Sequence, residues 1–158
     1  MAVFVGEFDQ VIDAKHRLAI PAALREQIEP EEDGKNFYLV LGVGRRLWLY
    51  PDKYYRRLLS TLRATPLPNR QTQQYDMFFA LARVIKPDSQ GRIVLPEKSM
   101  ERAGITDPHI TLIGKGDHIE IWPTSQWNEV LSKVLERYDE AILDAGDRFA
   151  ASRQEGDK

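Results

Sequence analysis

Two short segments hold residue types that could do chemistry. Asp13-Ala-Lys-His-Arg17 sets Lys15, His16 and Arg17 side by side behind an acid, and Asp88-Ser-Gln-Gly-Arg92 repeats the Asp and Arg at the same spacing. A cationic tight turn between two strands can project side chains into a groove of DNA. The guanidinium fork of Arg17 or Arg92 suits guanine or phosphate, and Lys15 suits a phosphate. Asp13 and Asp88 fit the role of turn cappers, accepting bonds from the backbone N–H groups that follow. Either Asp could also pin its Arg, an exposed pair contributing only about 0–1 kcal/mol. A plain hairpin turn with solvated charges is the competing reading of one such motif. Its recurrence moves the balance towards function.

Other candidates are weaker. Gly42-Val-Gly44 and Gly114-Lys-Gly116 have no third Gly, no Gly-Lys-Ser/Thr and no helix directly after them, so each reads as a hairpin needing positive φ. Arg45 and Arg46 in the first become Asp117 and His118 in the second, so no shared chemistry is implied there. His16, His109 and His118 lie at no metal-ligand spacing, and no metal or other cofactor is expected. Lys53, Arg56, Arg57 and Arg63 form a basic stripe. It reads as the solvated face of a helix, with a secondary contact to DNA or a neighbouring subunit as the alternative. No Ser–His–Asp order, nucleophile elbow or paired carboxylates stand out, so neither an enzyme nor a small-molecule substrate is expected.

The elements that must position these turns come in two copies. Asp13 to Asp88 is a step of 75 residues, with Leu18-Ala-Ile-Pro21 matching Ile93-Val-Leu-Pro96. Gly42 to Gly114 is a step of 72, and Leu47-Trp-Leu-Tyr-Pro51 matches Ile119-Glu-Ile-Trp-Pro123 at that same step. Tyr55, Leu58, Leu59 and Leu62 match Trp127, Val130, Leu131 and Val134, both at the i, i+3, i+4, i+7 spacing of an amphipathic helix. Each unit therefore reads as an extended segment, the Asp-x-x-x-Arg turn, a short apolar strand, a short helix, a Gly-x-Gly hairpin and a longer helix. Pro21 and Pro96 suit the first helical position, where a missing N–H costs nothing. Gly104 suits a helix C′ cap. Trp48, Trp122 and Trp127 are expected in the core.

The predicted organisation is a first repeat over 4–65, a linker over 66–74, a second repeat over 75–145 with a short helix through Tyr75, Phe78 and Phe79, and a polar, disordered tail over 146–158. Neither half is large enough to close a core alone. Two such units can supply each other's strand edges and share one core.

Composition bounds the setting. The 158 residues carry a net charge of −2 and no Cys. Disulfides are excluded, and a reducing compartment is the natural home. Met1 to Asp9 has no basic region and no long apolar run, so no signal peptide is expected, nor any membrane span or membrane partner. A DNA-binding face on an acidic chain must be local. The acid gathers elsewhere, at Glu29, Glu31, Glu32 and Asp33 and at Asp139, Glu140, Asp144 and Asp147.

The doubled motif, Asp13-Ala-Lys-His-Arg17-Leu-Ala-Ile-Pro21 and Asp88-Ser-Gln-Gly-Arg92-Ile-Val-Leu-Pro96, resembles the signature of the SpoVT-AbrB swapped-hairpin superfamily. Two copies in one chain, with the matching Pro51 and Pro123 blocks and Phe4-Val-Gly6-Glu7, resemble the MraZ family over most of residues 4–143. The resemblance implies an α+β, β-rich fold in which two tandem SpoVT-AbrB-like units form a pseudo-two-fold swapped-hairpin β-barrel with flanking helices. It also implies a cytoplasmic, nucleoid-associated transcriptional regulator, often a repressor, of the bacterial division and cell-wall gene cluster. Such a protein binds repeated elements of double-stranded promoter DNA as a ring-shaped homo-oligomer. The family's DNA-contacting Arg maps onto Arg17 and its Lys onto Lys15. In the second half Arg92 and Gly91 match, and Gln90 replaces the Lys. His16 departs from the family Gly, at a position where His tolerates positive φ better than most residues. An antitoxin-like interaction module of the same superfamily is the alternative. Those modules resemble one repeat with a disordered tail, unlike this chain.

Overall fold

In the computed structural model, strands whose apolar residues alternate supply most of the core. The structure describes residues 1–62, 67, 69–70 and 72–156, apart from the side chains of residues 72 and 73. The chain divides into two compact units, Met1–Thr124 and Ser125–Lys158.

The first unit opens with Phe4, bridged to Gly116, and β1 (Glu7–Val11). The first turn leads to β2 (Arg17–Ala19), α1 (Ala22–Arg25) and α2 (Pro30–Asp33). A hairpin of β3 (Phe37–Leu41) and β4 (Leu47–Pro51) follows, then α3 (Asp52–Ser60). The second repeat contributes α4 (Thr72–Leu81), β5 (Arg83–Ile85), β6 (Arg92–Val94), α5 (Glu97–Arg102), β7 (His109–Gly114) and β8 (Ile119–Pro123).

The strands pair in the order β1-β7-β8-β4-β3-β5, all antiparallel, with β2 and β6 forming a separate two-stranded ribbon. The pairing is swapped. β1 of the first repeat lies on β7 of the second, and β5 of the second lies on β3 of the first. Each repeat thus covers a strand edge that the other would leave bare, as the sequence predicts. The pseudo-two-fold is explicit in the register. Leu47 faces Ile121 and Leu49 faces Ile119, about a centre at Trp48 and Glu120. Arg17 faces Val94 and Ala19 faces Arg92, about a centre at Leu18 and Ile93.

One core results. Leu39, Leu47, Leu49, Ile110, Leu112, Ile119 and Ile121 turn inwards from the sheet, and Leu18, Ile20, Ile93 and Leu95 meet them from the ribbon segments. The division of the described chain therefore does not follow the repeat boundary. Of the expected linker, positions 66, 68 and 71 lie outside the described residues.

Several expectations need correction. Trp48, Trp122 and Trp127 are only half-buried and none belongs to the core, because Trp48 and Trp122 alternate with the inward residues and so face away from it. Pro21 and Pro96 stand one position earlier than expected, as N-caps whose carbonyls accept the first helical N–H groups, from Leu24 at 3.0 Å and Met100 at 3.1 Å. Within the acidic run 29–33, residues 30–33 form α2, with Glu29 at its N-cap. Asp33 folds back to accept the Glu29 N–H at 2.9 Å and is buried.

Gly104 does cap α5, at φ 66°, with Ile105 donating to the Met100 carbonyl at 3.0 Å. In each Gly-x-Gly only the second glycine has positive φ, 71° at Gly44 and 81° at Gly116. The first is required for close approach: a Cβ at Gly42 would strike the Trp48 ring, and one at Gly114 the backbone of Phe4 and Val5.

The second unit comprises α6 (Thr124–Glu136), from Ser125 onwards, and α7 (Tyr138–Gly156). Residues 146–156, expected to be a disordered tail, continue α7. They lack an apolar stripe, but Ala, Arg, Gln and Glu are strong helix formers and no Pro interrupts them. No helix among the described residues is long and apolar enough to cross a membrane.

Candidate nucleic-acid interface

Each Asp-x-x-x-Arg turn is held by its own carboxylate. Asp13 Oδ1 accepts the backbone N–H groups of Lys15 at 2.9 Å and Arg17 at 2.8 Å, and Oδ2 accepts Arg17 Nε at 2.6 Å. Asp88 repeats all three bonds: Gln90 and Arg92 N–H at 2.9 Å each, and Arg92 Nε at 2.8 Å. The backbone closes identically, with His16 donating to Asp13 and Gly91 to Asp88, each at 3.0 Å. Capping, and the pairing with Arg that the sequence also allowed, are both made by one carboxylate. The Arg17 N–H foremost, helped by the Arg17 side chain and the Lys15 N–H, holds the Asp13 carboxyl below its usual range. Arg92 and Gln90 do the same for Asp88.

The geometry of each arginine follows. Nε is tied to the Asp, which fixes the guanidinium plane, and no partner engages its terminal nitrogens among the described residues. Roughly a third of each arginine side chain is exposed, 32% for Arg17 and 33% for Arg92. Strand alternation puts Leu18 and Ile93 on the inner face of the ribbon, fully buried, and Arg17, Ala19, Arg92 and Val94 on the outer face. The two turns are the two ends of this ribbon. Lys15 is exposed at the tip of the first turn, and Gln90 is exposed at the corresponding place in the second.

His16 takes the left-handed conformation at φ 60°, as Gly91 does at φ 76°. The expected departure is therefore accommodated in the backbone. The imidazole is half-buried in a groove with Asp13, Met100, Asp107 and Pro108.

The basic stripe has structural partners. Lys53 Nζ donates to the Glu31 carbonyl at 2.8 Å and Arg57 Nη1 to the Glu32 carbonyl at 3.1 Å, stapling α3 to α2. Arg56 Nε reaches the Tyr38 hydroxyl at 3.3 Å. Arg63 lies outside the described residues.

Two features escaped sequence reasoning. One is a polar cluster on the outward face of the sheet. His118 Nδ1 meets Asp117 Oδ1 at 2.7 Å and Nε2 meets Glu120 Oε2 at 2.9 Å. Trp122 Nε1 donates to Glu120 at 2.9 Å, and the Tyr54 hydroxyl to Asp117 at 2.6 Å. The imidazole stacks on Trp48 at 4.2 Å. Burial opposes charging of His118, but Glu120 and Asp117 outweigh it, and the imidazole is held above its usual value. Burial likewise works against Glu120 ionising, and His118 and Trp122 overcome it to hold the carboxyl low. Residue spacing carried no sign of this cluster, because the first repeat has Arg46 and Trp48 where the second has His118 and Glu120. The other feature is Arg25, at the end of α1. No group of acids and histidines among the described residues is arranged to hold a metal ion.

A strand-swapped duplication with an Asp-anchored arginine turn in each half defines a tandem swapped-hairpin protein. The family model described as "MraZ protein, putative antitoxin-like" matches residues 3–77 and again 78–145. The chain belongs to the MraZ family. Relatives called "Transcriptional regulator MraZ" agree over most of their length. The protein of Carboxydothermus hydrogenoformans is 31% identical over 139 residues, covering 87% of this chain and 93% of the relative. That of Syntrophomonas wolfei is 34% identical over 148 residues, covering 91% and 99%. That of Clostridium tetani is 34% identical over 128 residues, covering 80% and 86%.

Proposed function

We propose that this chain is a DNA-binding transcriptional regulator that reads promoter DNA through the outer face of the β2–β6 ribbon. The observation that carries the reading is the pair of carboxylate-braced arginines, each with Nε fixed and its terminal nitrogens available. A guanidinium held in this way loses less side-chain freedom on binding than a mobile one. The names of its relatives support the regulatory role, and the local cationic turn reconciles that role with a net charge of −2. Arg17 and Lys15 contact DNA foremost, flanked by His16, and Arg92 assists from the second turn. Asp13, Asp88 and Gly91 shape the turns, while Pro21 and Pro96 start the helices that follow them.

In its finer form, the protein is a repressor of the bacterial division and cell-wall gene cluster. It acts in the cytoplasm at the nucleoid, as a ring-shaped homo-oligomer on repeated promoter elements. The pseudo-two-fold supports assembly: related but non-identical surfaces on one protomer can associate head to tail, and such contacts close into rings.

A second reading is favoured by the family description and by α7, which exposes Ile142, Leu143 and Phe149. On that reading the chain is an antitoxin-like module that binds a protein partner. Gel-shift titration of the purified chain on the region upstream of its own gene separates the two. A regulator shifts that duplex in preference to unrelated DNA. A chain that shifts neither duplex, and is isolated with a stoichiometric protein partner, is an antitoxin-like module.

A further inference from the structure

The two turns differ at one matched pair of positions. At Gly91 an ideal Cβ would lie 2.6 Å from Arg25 Nε, 2.7 Å from Cδ and 2.8 Å from Cζ. The Arg25 side chain thus occupies the place beside the second turn that a residue larger than Gly would need. In the first turn the corresponding residue is His16, which fills that place with its own side chain. The residue one repeat beyond Arg25 is Met100, which lines the same groove as His16. The pairs are therefore His16 with Met100 at one end of the ribbon, and Gly91 with Arg25 at the other. A nitrogen-bearing group sits in the left-handed corner of both turns, supplied locally in the first and by α1 of the other repeat in the second.

Arg25 is also braced. Its Nε donates to the Ile20 carbonyl at 3.0 Å, and the Ile20 N–H donates to Gly91 at 3.0 Å, so the guanidinium is tied to the ladder that carries the turn. The residue is exposed, and its terminal nitrogens have no partner among the described residues. The second turn lacks a Lys where the first has Lys15, carrying Gln90 in its place.

We infer that Arg25 contacts a DNA phosphate and completes the second turn as a composite site, formed by α1 of the first repeat and the Asp88–Arg92 turn of the second. The inference rests on the DNA-binding reading above. With Nε committed, the two terminal nitrogens present one edge of the fork, which suits two oxygens of a phosphate. A phosphate contact fixes register and orientation and carries no base preference.

The test is fluorescence-anisotropy titration of the full chain against two labelled duplexes across a series of salt concentrations. One duplex is the region upstream of the chain's own gene, and the other is a random-sequence pool of equal length. Arg25→Met copies the residue at the matched position, and Arg25→Lys keeps the charge. Arg25→Met is expected to weaken binding to both duplexes by a similar factor, about fivefold or more at moderate salt. Its log–log salt slope is expected to be shallower by about 0.9 for each phosphate that is no longer neutralised. Arg25→Lys is expected to keep the native slope. Arg25→Gln replaces Arg25→Met if the latter lowers the melting temperature.

A native slope and affinity in a folded Arg25→Met or Arg25→Gln protein overturns the inference. So does weakening without any change of slope, which marks a purely structural residue. If Arg17→Ala loses binding while the Arg25 variants match the parent, only this inference fails. If the parent chain binds neither duplex, the DNA-binding reading fails and takes the inference with it.

Discussion

The backbone N–H of Leu95 donates to the carbonyl of His16 at 2.9 Å, and one repeat away Ile20 donates to Gly91 at 3.0 Å. These symmetric bonds extend the β2–β6 ladder at both ends, so each turn is locked to the strand segment of the other repeat.

The ends of the ribbon are unequal. Lys15 is exposed at the tip of the first turn and Gln90 at the tip of the second. Lys15→Ala is expected to weaken DNA binding and lower the log–log salt slope by about 0.9 if it neutralises one phosphate. Gln90→Ala is expected to change neither. Paired anisotropy titrations decide, and equal losses would count against the asymmetry.

The ribbon should be thermodynamically coupled to the sheet. Leu18 is fully buried at the pseudo-two-fold, opposite Ile93. Leu18→Ala is expected to cost about 2–5 kcal/mol of stability, the range for removing a buried Leu side chain. Urea unfolding checks this, and a loss below about 1 kcal/mol would mean that the ribbon is not seated in the core.

Much of this organisation is legible in the residues. The Asp13 and Asp88 motifs, the Gly-x-Gly hairpins and the Gly104 cap are local signals, because turn and cap chemistry depends on a few neighbours in sequence. The swap is not local. Nothing in residues 7–11 says that their partner is 109–113 rather than a nearer strand. The tryptophans mislead for a related reason: Trp48 and Trp122 have the size of core residues, yet strand alternation turns them to the other face. Arg25 carries a faint signal, since the matched position holds Met100, but only the swapped pairing brings it beside Gly91. Residues 146–156 lack a stripe, so pattern alone reads them as a tail and misses their helix propensity.

The His118 cluster predicts a pH dependence. Both ring nitrogens face carboxylates, Asp117 and Glu120, so the folded state favours the imidazolium and its pKa is raised. A raised folded value gives stability that is fully present below the unfolded pKa, near 6.5, and lost as pH rises through the folded value. Thermal melts should show stability falling as pH rises above about 6.5, and His118→Gln should remove that part of the fall. A parent and variant with parallel profiles would show that the cluster does not bind the proton more tightly when folded.

If head-to-tail protomers present the Arg17 turn in one orientation, the DNA site should consist of direct repeats about one helical turn, or ~10 bp, apart. Each turn reaches few base pairs, so tight binding needs several turns engaged in phase. Inserting about half a turn between repeats should abolish cooperative binding, and a whole-turn insertion should be tolerated better. Footprinting on spacer variants checks this, and a single palindromic footprint would rule it out.

The most direct measurement compares the parent chain with Arg17→Ala on the duplex upstream of its own gene, at two salt concentrations and with the oligomeric state monitored. Arg17 lies part-exposed on the outer face of the ribbon, so the variant should remain folded and keep the parent's oligomeric state. Removing a base-reading side chain costs about 1–3 kcal/mol per site, multiplied where several subunits bind together, so specific binding should largely disappear. Near-native affinity from an intact Arg17→Ala assembly would contradict the assignment of the ribbon as the DNA-reading surface.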